Sequence, residues 1–175
     1  MGPSLYAALQ RHGVKNTNYA FANMMRQLAL ESDYGRSRVA REQNNFGGVG
    51  FNGSTYTTYK DVDEFVDKYV KLMNGRYAKA LGVYDPAEYA KIVHGLGYFT
   101  GSLDNYIYNM SHMKSLNNSL ANHVRNNPDI YPKEGFTNGV PTRIYRPEDG
   151  WRKMPKWTDT PEYNPPVNVV PNATQ

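Results

Sequence analysis

From Asn18 to Glu31 the apolar residues Phe21, Met24 and Leu28 recur at helical steps, with Met25 beside them, which predicts an amphipathic helix. Extending that stripe by one more step reaches Glu31, so a carboxylate closes an apolar face. Gly35 is the expected stop, and Ser37 to Gln43 predicts a short second helix. Between Asn44 and Lys60 the chain turns Gly-rich with alternating Thr and Tyr. The Asn52-Gly53 pair is a two-residue hairpin signal, so this segment reads as a small β-hairpin or a loop. Asp61 with Glu64 resembles a capping box, and Val62, Phe65, Val66, Tyr69, Val70 and Met73 form one apolar face of a helix that Gly75 should end. A short helix is expected over Tyr77 to Leu81. Asp85-Pro86 followed by Glu88 announces another, with Tyr89, Ile92 and Val93 inward and Gly95 and Gly97 as breakers. Leu103 to Val124 carries Tyr106, Ile107, Met110, Met113, Leu116 and Leu120, one long helix or two shorter ones ending near Asn126, Asn127 and Pro128.

After Tyr131 no apolar period survives, and eight of the 11 prolines fall there. The expected organisation is a domain over 1–130, mainly α with a small β-hairpin lobe, followed by an extended tail over 131–175. Aromatic side chains in an extended segment usually pack on something. Tyr145, Trp151, Trp157 and Tyr163 therefore point to contact with the domain's own surface, a neighbouring chain or glycan. A length of 175 residues suits one domain plus such a tail.

Composition narrows the chemistry mainly by exclusion. No Cys is present, which removes disulfides, thiolate metal sites and Cys nucleophiles. His12, His94, His112 and His123 show no metal-ligand spacing, so neither a metal nor a cofactor is expected. No segment approaches the roughly 20 apolar residues of a membrane span, and Met1 to Leu9 lacks the basic-then-apolar order of a signal peptide. The net charge of +4 permits approach to an anionic polymer without selecting one. Nucleic acid is not an expected partner: the tail sets six basic residues (Lys133, Arg143, Arg146, Arg152, Lys153 and Lys156) against five acidic ones (Glu134, Glu148, Asp149, Asp159 and Glu162). The 15 Tyr and many Asn make a surface rich in hydrogen-bonding groups, suited to sugars. No Gly-x-Ser-x-Gly elbow, phosphate loop or dinucleotide fingerprint occurs.

Glu31 is the candidate for chemistry. A carboxylate where a helix opens into a cleft is disfavoured in its charged form by burial, which makes a proton donor near neutral pH, as glycosidic cleavage requires at the leaving oxygen. The structural alternative is that Glu31 caps the helix region or pairs with Arg26, Arg36 or Arg38.

The residues around Glu31 extend this reading. Gln27-Leu28-Ala29-Leu30-Glu31-Ser32-Asp33-Tyr34-Gly35-Arg36-Ser37 resembles the catalytic segment of the glucosaminidases of glycoside hydrolase family 73. Asn44-Asn45-Phe46-Gly47, with Gly50, is similar to the block that follows it in that family, short by one residue. Asp85 to Tyr106 resembles the closing segment, with Tyr89-Ala90 and Leu96, then Gly97-Tyr98-Phe99-Thr100 where the family has Gly-Tyr-Ala-Thr, then Asp104 and Tyr106. Together the blocks cover about residues 18–115 in the family's order.

The resemblance implies a lysozyme-like fold, with glycan bound between a helical lobe and a shortened β-hairpin lobe. It also implies roles: Glu31 as general acid and Tyr98 across the cleft as a catalytic residue that binds substrate or the transition state, with Asn45, Phe46, Tyr34 and Tyr106 binding substrate. For Tyr98 the structural alternative is a packed core tyrosine, and for Asn45 a turn residue serving local backbone groups.

One departure stands out, because family members often carry a second acid in the β-lobe and Phe51 to Tyr59 contains none. Asp61 and Asp63 are the nearest candidates, although Asp61 already has a role as a cap. The gap permits an inverting reaction, one assisted by the substrate's 2-acetamido group, or a weak or inactive enzyme. The expected activity is hydrolysis of the β-1,4 bond after N-acetylglucosamine in peptidoglycan. The alternatives are a muramidase or lytic transglycosylase on the same polymer, or a phage virion protein whose tail binds another virion protein. The expected place of action is the bacterial cell wall, reached from the host cytoplasm after holin release or from a phage virion.

Overall fold

The computed structural model describes residues 1–143, which fall into two compact units: Met1–Met110, and a second beginning at Ser111. The first unit opens with α1 (Gly2–Arg11), where Pro3 sits in the first turn and Leu5, Tyr6, Ala8 and Leu9 are buried. It continues through α2 (Thr17–Glu31), α3 (Arg38–Gln43) and α4 (Val62–Gly75), a 3-10 turn (Ala78–Gly82), α5 (Pro86–Gly95) and α6 (Leu103–Ser111). Helix α1 packs on α2 and α4, and the 3-10 turn packs on α2, α4 and α5.

Side-chain caps set the starts of three helices. Asp61 accepts the Glu64 N–H at 2.8 Å, while Glu64 Oε2 accepts the Lys60 N–H at 2.6 Å, a capping box displaced by one residue. Asp85 accepts the Ala87 N–H at 2.9 Å ahead of Pro86, and Ser37 accepts the Ala40 N–H at 3.2 Å at the start of α3. The face expected on α4 is the buried one, with Phe65, Val66, Tyr69, Val70 and Met73 all inside. Burying each such side chain contributes about 1.5–3 kcal/mol. At the surface Asp67 joins α4 to the end of α1, 2.9 Å from His12 Nε2 and 3.0 Å from Arg11. These two groups hold its carboxyl below the usual carboxylate range.

Helix α2 is more enclosed than one apolar stripe suggests, since ten of its 15 residues are buried, Asn23, Arg26 and Gln27 among them. It runs through the core instead of along its edge. Nor does it end at Gly35. The Asp33 N–H bonds Leu30 O at 3.5 Å and the Tyr34 N–H bonds Ala29 O at 2.7 Å, with Asp33 left-handed at φ 51°. This is a Schellman stop with Asp where Gly is usual, and it falls ahead of the expected glycine.

Residues 44–60 form a loop and not a ladder. Asn52 Oδ1 accepts the N–H groups of Ser54 (3.0 Å) and Thr55 (2.9 Å), so a side chain takes the bonds that cross-strand pairing would use. The Asn-Gly pair that does make a hairpin is Asn138-Gly139, both left-handed at φ 51° and 79°. It joins β1 (Phe136–Thr137) to β2 (Val140–Pro141) in antiparallel register, Phe136 opposite Pro141. This small sheet lies in the second unit, with helix α7 (Lys114–Arg125) and a 3-10 turn (Lys133–Gly135). The 103–124 stretch is thus two helices. Residues 133–141, expected to be extended, are folded, and Tyr131 is buried with its ring edge-on to Phe136 at 5.9 Å. Tyr145, Trp151, Trp157 and Tyr163 lie outside the described residues, as does any contact of the tail beyond Arg143.

Candidate active site

Glu31 is the last residue of α2, and its carboxyl is partly buried. Burial pushes its pKa above the ordinary 4.5, opposed by a hydrogen bond that the Tyr106 hydroxyl donates to Oε1 at 2.8 Å. The arginines that could have neutralised it are engaged elsewhere. Arg36 pairs with Asp33 at 2.8 Å, Arg38 pairs with Glu42 at 2.8 Å, and Arg26 is buried against Asn23. Desolvation therefore outweighs the single hydrogen bond, and the net shift is upward.

Tyrosines of the same unit form the polar surroundings of this carboxyl. Tyr98 follows α5 through a second Schellman stop: Gly97 is left-handed at φ 82°, its N–H bonds His94 O, and the Tyr98 N–H bonds Val93 O. The Tyr98 hydroxyl donates to Gly47 O at 3.1 Å and lies 3.0 Å from the Tyr69 hydroxyl. Tyr69 and Tyr89 both donate to Gln27 Oε1 at 2.6 Å. Gln27 lies one turn before Glu31 on α2, and its Nε2 is buried with no hydrogen-bond partner among the described residues. Burial, and then the charge of Glu31, push the Tyr98 and Tyr106 hydroxyls far above the ordinary tyrosine range. Both stay protonated and act as donors.

Tyr106 meets Glu31 itself, and its ring stacks on Phe99 at 3.8 Å and 12°. Tyr34 is left-handed at φ 56° and 53% exposed, just beyond Glu31 and beside Arg36. Phe46 is partly buried with its ring 5.5 Å from Phe65. Asn45 is engaged within its own loop. It is buried, its Nδ2 donates to Val49 O (2.8 Å) and Thr57 O (2.9 Å), and its Oδ1 accepts the Val49 N–H, so both amide hydrogens are spent on folding the loop. Asp61 is occupied as the α4 cap, and Asp63 is exposed in the first turn of that helix. Every other carboxylate of residues 1–110 is exposed, caps a helix or stands in an ion pair, which sets Glu31 apart.

The periodicity reading missed Gln27, Tyr69 and Tyr89 as site residues. The signal available was that inward-facing tyrosines on α4 and α5 must find partners for their hydroxyls once buried. Among the described residues no group of three or more His, Asp and Glu side chains could hold a metal ion, and no helix is long and apolar enough to cross a membrane.

The family model named glucosaminidase, described as mannosyl-glycoprotein endo-beta-N-acetylglucosaminidase, matches residues 2–159. Comparison with curated proteins and with solved structures gives no match.

Proposed function

The chain belongs to the glucosaminidase family, glycoside hydrolase family 73, and is a glycosidase; from that membership we propose that it hydrolyses the β-1,4 bond after N-acetylglucosamine in peptidoglycan, with Glu31 as general acid. The observation that carries the assignment of Glu31 is its environment. It is the carboxylate of residues 1–110 whose pKa is raised, it ends a core helix, and a hydroxyl donor holds one of its oxygens. Protonated Glu31 gives its proton to the leaving glycosidic oxygen as the bond to the anomeric carbon breaks.

Asp61 and Asp63 do not serve well as a second carboxylate, one being spent on a helix cap and the other exposed. With no second acid assigned among residues 1–110, we propose that the anomeric carbon is attacked by the 2-acetamido oxygen of the same sugar, and that water opens the resulting ring with the Glu31 carboxylate as base. Tyr98, whose hydroxyl is fixed between Gly47 O and Tyr69, anchors the 44–60 loop beside the carboxyl, and Tyr34 supplies an exposed ring for sugar.

The test is digestion of purified peptidoglycan by the parent protein and by Glu31→Gln, which keeps the shape of the side chain but cannot donate the proton, followed by mass analysis. Fragments ending in reducing N-acetylglucosamine from the parent alone are the expected result. Reducing muramic acid ends would identify a muramidase, and anhydro ends a lytic transglycosylase. A fully active Glu31→Gln would remove Glu31 from the mechanism.

A further inference from the structure

The Tyr106 hydroxyl donates to one oxygen of Glu31, Oε1, at 2.8 Å, and the tyrosine is gripped from the side by Phe99, whose ring lies parallel to it at 3.8 Å and 12°. Phe99 in turn has its ring centre 4.8 Å from that of His94 on α5. At the foot of α6, the Tyr106 N–H bonds Ser102 O at 3.1 Å and Ser102 Oγ accepts the Asn105 N–H, so the backbone bearing the ring is pinned as well. Phe99 stands where the resembled family segment has Ala, and an alanine methyl could not form this stack.

We propose that Tyr106 is a positioning residue and not a sugar ligand: its hydroxyl occupies Oε1 of Glu31, confining the transferable proton to Oε2, and Phe99 holds the tyrosine ring in place to do so. The assignment rests on Glu31 being the acid. In the resting enzyme Oε1 is the carbonyl oxygen that accepts from Tyr106, and Oε2 carries the proton. During cleavage the Oε2–H bond breaks, the proton goes to the leaving oxygen, and the electron pair stays on the carboxyl group. The Tyr106 hydrogen bond then becomes one to an anion, which is shorter and about twice as strong as one to a neutral acceptor. Tyr106 thus stabilises the product side of the proton transfer more than the start, which is how a positioned donor raises kcat. The ionisable groups felt by this pair are Tyr98, Tyr89 and Tyr69, all hydroxyls that stay protonated.

The experiment measures kcat, KM and the pH profile of peptidoglycan cleavage for Tyr106→Phe, which keeps the stack and removes only the hydroxyl. The expected result is a kcat lower by about tenfold, corresponding to roughly 1.4 kcal/mol, with KM within about twofold. The basic limb of the profile, where Glu31 loses its proton, should move to higher pH, because the bond that favours the carboxylate is gone. Phe99→Ala, which leaves the hydroxyl but frees the ring, should shift kcat and the limb in the same directions by less. Replacing Tyr106 with 3-fluorotyrosine, a stronger donor of nearly the same shape, should move the limb down, and it keeps the test open if the Phe variant does not fold. A raised KM at unchanged kcat would overturn the proposal in favour of a sugar contact, as would an unmoved basic limb. Glu31→Gln in the same assay separates the two levels. If it is inert while Tyr106→Phe behaves as the parent, only the positioning role fails, whereas an active Glu31→Gln removes both.

Discussion

Gly47 sits where the 44–60 loop meets the tyrosine network, and replacing it with Ala tests how tightly that junction is packed. A Cβ at this position would lie 2.9 Å from Tyr69 Cε2, 3.3 Å from Cδ2 and 3.4 Å from the Tyr98 hydroxyl. Carbon atoms prefer to be about 3.5–4.0 Å apart, so the overlap is well over half an ångström. The Tyr69 ring cannot retreat easily. It is 1% exposed, lies nearly parallel to Phe65 at 5.3 Å, and its hydroxyl is anchored on Gln27 at 2.6 Å. Overpacking of this kind costs about 1–3 kcal/mol, and for a chain of this size each kcal/mol lowers Tm by about 2–4 °C. Gly75→Ala is the control, because nothing lies within 4 Å of a Cβ there and the residue is helical. That change should stabilise by about 0.5–1 kcal/mol. Denaturant unfolding of Gly47→Ala, Tyr69→Leu and the double variant completes a cycle. With the ring absent the added methyl should cost almost nothing, giving a coupling of about 1–3 kcal/mol between the two positions. Zero coupling, or a Gly47→Ala as stable as Gly75→Ala, would refute the argument that loop and network are jammed together.

Because the folded pKa of Glu31 is raised, the folded protein binds its proton more tightly than the unfolded chain does, so stability from this group is complete below about the ordinary value of 4.5 and is lost as pH rises through the raised one. Glu31→Gln should therefore be more stable than the parent at pH 7 and equal to it well below pH 4.5, and equal stability at both would contradict the burial argument. Tyr34→Gly relieves a left-handed tyrosine at φ 56° and should raise stability by about 1 kcal/mol on thermal unfolding, while raising KM for glycan if the exposed ring touches sugar. An unchanged KM would remove Tyr34 from the substrate site.

Much of the helical framework can be read from the chain because its signals are local. The Asp61 and Asp85 caps and the apolar face of α4 are set by residues within a turn or two of one another. The placing of Glu31 is legible for the same reason, as the motif around it is continuous. Helix α1 escapes such a reading, since its four buried residues are crowded into two turns among small and polar ones. The Asn-Gly signal misleads at Asn52 because the asparagine side chain, invisible to a pairing rule, takes the backbone donors itself. The Asn45 amide likewise bonds within 12 residues of sequence, a local engagement that its motif position does not announce. Least legible are contacts between distant segments. Tyr69 and Tyr89 reach Gln27 across 42 and 62 residues, and Tyr106 reaches Glu31 across 75.

The position of Glu31 on the final residue of α2 also has an electrostatic meaning. Aligned peptide dipoles leave a partial negative charge at a helix C-terminus, over the last carbonyls that lack intrahelical partners. A carboxylate formed there faces that charge, and the last turn of α2 contains no basic residue to offset it. The helix field therefore acts in the same direction as burial, favouring the neutral acid before any substrate arrives. Because the field comes from the backbone, no side-chain substitution in the surrounding network can remove it.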